Sequence, residues 1–75
     1  MKPETLVRMA NQIATFFRSR PEEQAIAATA EHLVMFWDPR MRAELAQHVS
    51  AGGAGLDAIA LAAARRIAPQ EAPAP

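Results

Sequence analysis

Apolar residues recur along this chain at intervals of three and four, and nowhere alternate in twos, so the pattern predicts helices and no strands. Proline and glycine divide the pattern. Pro3, Pro21 and Pro39 stand where helices can begin, Gly52, Gly53 and Gly55 form one break, and Pro69, Pro73 and Pro75 mark a tail. The first predicted helix runs from about Pro3 to Arg18, with Leu6, Met9, Ala10, Ile13, Phe16 and Phe17 as its apolar stripe. The second runs from about Pro21 to Trp37, with Ile26, Thr29, Ala30, Leu33 and Trp37 facing inward and Val34 and Phe36 on either flank. Ser19 and Glu22 have the spacing of a capping box at its start.

Asp38-Pro39 is a strong start signal for a third helix, reaching about Ser50, with Met41, Leu45 and Val49 as its stripe. Gly52-Gly53 can supply its left-handed exit. The fourth runs from about Gly55 to Ile67, with Leu56, Ala60, Ala63 and Ile67 on one face and Arg65 and Arg66 at its C-terminal end. The expected fold class is all-α: a small bundle of about four short helices in one domain, 1–67, followed by a disordered Pro/Ala-rich C-terminal tail, 68–75.

Length and composition bear on what such a bundle can do. A chain of 75 residues is one domain. At this size only about 60% of the unfolded-chain surface is buried, so a disulfide, a metal or a partner is usually needed as support. There are no cysteines, which removes disulfides and thiolate metal sites and leaves oligomerisation or a partner. The formal net charge is zero, without the electrostatic footprint of a nucleic-acid binder. No apolar run is long enough to span a bilayer and no signal-peptide core follows Met1, so the expected location is the cytoplasm.

Conventional catalytic chemistry has few candidates. His32 and His48 are sixteen apart, a spacing that fits no usual ligand pattern. Gly52-Gly53-Ala54-Gly55 lacks the preceding strand and the Lys-Ser/Thr of a phosphate loop. Ser19 and Ser50 have no evident base, and Glu31 and Asp57 read as isolated carboxylates. No catalytic, cofactor-binding or metal-binding residue is nominated.

Three features do not fit a plain self-sufficient bundle. Arg40 and Arg42 fall at the positive end of the third helix, where a cation costs about 0.3–1 kcal/mol. Asp38 can offset this by pairing with Arg42 at i, i+4; otherwise the guanidiniums are either solvated or meet polar groups on a partner. Second, Met35 lies opposite Leu33 on the second helix, and Ile59 and Leu61 point about 100° to either side of the main face of the fourth. A domain this small is expected to leave such shoulders exposed, and exposed apolar patches mark interfaces. Third, Trp37 is the single tryptophan, beside Phe36 and followed by Asp-Pro-Arg-Met-Arg. Trp and Arg are enriched at binding hot spots, although a lone Trp in a small domain is also a natural core residue.

The segment Met9-Ala-Asn-Gln-Ile-Ala-Thr-Phe-Phe, then Pro21, then Glu31-His32-Leu33 leading into Phe36-Trp37-Asp38-Pro39-Arg40-Met41-Arg42, resembles the delta subunit of soluble NAD-dependent formate dehydrogenases. Gly52-Gly53-Ala54-Gly55-Leu56-Asp57 is similar to the same family, and the resemblance spans about Leu6 to Ala64. It implies a cytoplasmic complex that oxidises formate. A large alpha subunit there carries a molybdenum or tungsten bis-pterin centre and iron–sulfur clusters, and further subunits carry FMN and iron–sulfur clusters and reduce NAD. It implies no cofactor in this chain.

The expected function is therefore that of a non-catalytic accessory subunit that binds and stabilises the large subunit. A transient chaperone for molybdenum cofactor insertion is the alternative, and a helix-turn-helix regulator built on the second and third helices is disfavoured by Glu44 and the neutral charge. The expected partner-binding residues are His32, Met35, Phe36, Trp37, Asp38, Arg40, Met41, Arg42, Ile59 and Leu61. A homodimer of the isolated chain is a further expectation, because one apolar patch can pair with itself.

Overall fold

Proline fixes φ and lacks an N–H, so at a first helical position it removes a donor that would be unpaired anyway. Two helices of this chain start that way. In a computed structural model, which describes residues 2–68, α1 (Pro3–Phe17) and α3 (Pro39–Ser50) each open on a proline, after Lys2 and Asp38 respectively. They are joined by α2 (Glu22–Phe36) and α4 (Ala58–Ile67), and no strand occurs among the described residues. The expected tail, from 69 onward, lies outside them.

The caps explain where each element stops. Asp38 accepts a hydrogen bond from the Met41 N–H at 2.8 Å, as expected. The exit from α3 is a Schellman motif: the Gly53 N–H reaches His48 O at 2.9 Å and the Gly52 N–H reaches Val49 O at 3.0 Å. Gly52 and Gly53 have φ of +119° and +67°, values that favour glycine. Gly53 is also buried, and a Cβ there would lie 2.8 Å from Leu61 Cδ1.

Two expected starts are corrected. Pro21 itself occupies the cap position of α2, extended at ψ 146° and with no side-chain hydrogen bond, so the Ser19–Glu22 capping box does not form. The fourth helix begins three residues late, because Asp57 is its cap: Asp57 Oδ1 accepts from the Ala60 N–H at 2.7 Å, which leaves Gly55 to Asp57 as loop.

The core combines a few large residues with many small ones. Leu6, Leu33 and Leu45 are each at most 1% exposed, and Trp37 is 5% exposed. Burying a leucine contributes about 1.5–3 kcal/mol. The other buried apolar positions are alanines: Ala10, Ala14, Ala25, Ala30, Ala60, Ala63 and Ala64. α2 and α4 share the most extensive contact, and α1 touches each of the other three helices. Small side chains allow the backbones of α2 and α4 to approach closely. Thr29, also fully buried, satisfies its hydroxyl by donating to Ala25 O at 2.8 Å within α2.

Candidate protein-docking surface

An inner stripe of Leu6, Ala10 and Ala14 fixes the orientation of α1, at i, i+4 and i+8. Met9 and Ile13 flank that stripe, half-buried against the core cluster, Phe17 is half-buried, and Phe16 turns outward. They meet His32, Phe36 and Trp37 from α2 and its cap, and Met41 from α3, around an open groove of about 550 Å³. Gln12 is the other lining residue.

The aromatic rings form a connected row. Phe16 and Phe17 meet edge to face at 5.0 Å between centroids, Phe17 and His32 at 6.4 Å, and His32 and Phe36 at 4.6 Å. The Arg20 guanidinium lies 4.9 Å from the centre of the Phe17 ring, in cation–π range. His32 Nδ1 is buried and has no hydrogen-bond partner.

Two of these rings face solvent: Phe16 is 78% exposed and Phe36 68%. Outside the row, Met35 is 67% exposed and Val34 is also exposed. Exposing Phe16 and Phe36 beside one groove costs hydrophobic free energy in the isolated chain, which covering them would recover.

The expected partner-binding residues divide accordingly. His32, Phe36, Trp37 and Met41 share the groove, but Trp37 is there as a floor: its ring belongs to the core. Met35 is exposed on α2 outside the lining. Asp38 is a helix cap and does not pair with Arg42; it is Arg40 that reaches a carboxylate, Glu44, at 3.8 Å. Arg42 is half-buried, with its Nε lacking a hydrogen-bond partner.

The shoulders of α4 are not exposed as expected. Ile59 packs against the core cluster, and Leu61 is half-buried over Gly53, because the glycine loop folds across that side. Sequence reasoning also misplaced Phe16 in the inner stripe. The signal was present: adjacent residues on a helix diverge by about 100°, so Phe16 and Phe17 cannot both face inward.

Elsewhere the structure is held rather than open. The Asn11 side chain donates from Nδ2 to Gly55 O at 2.9 Å and accepts at Oδ1 from the Asp57 N–H at 3.0 Å, clasping the loop to α1. His48 Nε2 lies 2.7 Å from Ala54 O in the same loop. Arg18 approaches the Asp57 carboxylate at 3.6 Å, and Arg66 donates to Glu23 at 2.8 Å. These exposed pairs contribute about 0–1 kcal/mol each. A second shallow hollow of about 770 Å³ runs over α1 beside His48 and Gly55. No cluster of three or more His, Cys, Asp or Glu occurs among the described residues, and no helix there is long and apolar enough to cross a membrane.

A model of the NADH-dependent formate dehydrogenase delta subunit family matches residues 5–64. The chain belongs to this family. The delta-subunit match begins in α1 and ends at Ala64 in α4, so it includes every residue of the groove and of the Phe36–Arg42 stretch. No curated protein and no solved structure shows a significant match to the chain.

Proposed function

We propose that this delta subunit is a non-catalytic accessory subunit of a cytoplasmic NAD-dependent formate dehydrogenase, which binds and stabilises the large molybdenum-containing subunit. The observation that carries the reading is the apolar groove between α1 and α2, on which Phe16 and Phe36 are more than two-thirds exposed. Membership of a delta-subunit family supports association with other subunits. On this reading the molybdenum or tungsten bis-pterin, the iron–sulfur clusters and FMN all belong to the partners.

The test is affinity purification of a tagged chain from its native cytoplasm, with protein masses, stoichiometry and formate-dependent NAD reduction recorded. One copy per large subunit in active enzyme is the expected result. Recovery of the chain alone, with active enzyme in the flow-through, refutes stable membership. Enrichment only on large subunit lacking its cofactor assigns the chain to maturation instead.

A further inference from the structure

The groove has a chemical character that narrows what can fill it. Its lining consists of apolar and aromatic side chains with two polar exceptions, Gln12 and His32, and contains no carboxylate. One end carries a cation, Arg20, over the Phe17 ring. Glu31 shares a separate hollow with Arg20 but makes no ion pair with it. Met41, on the groove lining, is flanked in sequence by Arg42 and by Arg40, whose side chain is 89% exposed and lies 3.8 Å from Glu44. The walls are the neighbouring helices α1 and α2, a geometry that accepts an amphipathic helix through apolar anchors at i, i+3, i+4 and i+7.

A second copy of this chain fits less well. Among the described residues, the large exposed apolar side chains are Phe16, Val34, Met35 and Phe36. Self-pairing would set the same lining, which has no carboxylate, against itself, and so offers no anion from the groove to meet Arg20. A larger protein can cover the groove and its flanking charges together.

From this we infer that the groove between α1 and α2 receives an amphipathic helix of the large subunit, whose apolar face packs on Phe16, Phe17 and Phe36 and whose acidic residues face Arg20 and Arg40. The inference rests on the subunit reading above and adds the site and the chemistry of the partner segment.

The experiment compares tagged wild type with Phe36→Ser and Arg20→Glu in affinity purification of the native complex, at low and high salt. Circular dichroism of each purified variant verifies that it is folded. A photo-crosslinking residue at position 36 then identifies the contacted segment by mass.

The expected result is loss of most of the large subunit from both variants. The Arg20→Glu defect should shrink in high salt, where charge interactions are screened over about 3 Å at 1 M. The crosslink should fall in an apolar helical segment flanked by Asp or Glu. If wild type recovers no large subunit, the subunit reading itself fails. If wild type recovers it and both folded variants recover it equally, the groove is not the contact. A crosslink to a second copy of this chain, or to a basic segment, also overturns the inference.

Discussion

The clasp between Asn11 and the loop before α4 makes a sharp prediction, because one side chain carries both bonds. Its Nδ2 donates to Gly55 O at 2.9 Å and its Oδ1 accepts from the Asp57 N–H at 3.0 Å. Asn11→Ala removes both. A protein hydrogen bond contributes about 0.5–1.5 kcal/mol net, and water can replace the partner of the exposed Gly55 carbonyl more easily than that of the part-buried Asp57 amide. The expected loss is about 1–2 kcal/mol, since one of the two groups is readily resolvated.

For a domain of this size that lowers Tm by roughly 5–15 °C. Asn11→Asp separates the two bonds. It keeps an oxygen for the Asp57 amide, gives Gly55 O no donor, and sets a second carboxylate beside Asp57, so at neutral pH it should destabilise at least as much as alanine. Urea unfolding followed by Trp37 fluorescence measures this directly, because Trp37 is the single tryptophan and is buried. An Asn11→Ala protein within about 0.5 kcal/mol of wild type, the range of an ordinary surface change, would refute the reasoning.

Three further outcomes are expected from the same unfolding assay. Leu33→Ala, at a site with no exposure, should cost about 2–5 kcal/mol, enough to unfold much of so small a domain at 37 °C. Gly53→Ala should cost about 1–2 kcal/mol for a β-carbon at φ +67°, with Leu61 turning aside to admit it. Ala60→Leu should cost about 1–3 kcal/mol or more by forcing α4 away from its neighbours, while leaving helical content close to wild type.

The helices were legible because their signals are local. Apolar spacing fixed the four segments, Asp38-Pro39 announced α3, and Gly52-Gly53 announced its end. What the sequence concealed depends on contacts between distant positions. Asp57 reads as an isolated carboxylate until the chain folds and its role as a cap, held by Asn11 from 46 residues away, becomes visible. The candidate groove is half legible. His32, Phe36 and Met41 stand out in the sequence of α2 and α3, but the opposing wall from α1 does not, since its apolar members Met9, Ile13, Phe16 and Phe17 read as one inner stripe. The α4 shoulders failed for the opposite reason: Ile59 is covered by packing against the core cluster and Leu61 by the glycine loop, and periodicity within one helix carries no information about either.

The alanine seam between α2 and α4 widens the set of positions that cannot drift. Ala60 and Ala63 have no exposure and Ala30 is 5% exposed, so a larger side chain at any of them must displace its neighbours. Phe16 and Phe36 stand mostly in solvent and can change with little effect on the fold. In most small domains the bulky apolar residues are the ones that folding forbids to vary. Here folding restricts the methyl groups as well as the buried leucines and Trp37, so any constraint found on the exposed phenylalanines in related chains must come from something other than the stability of this domain.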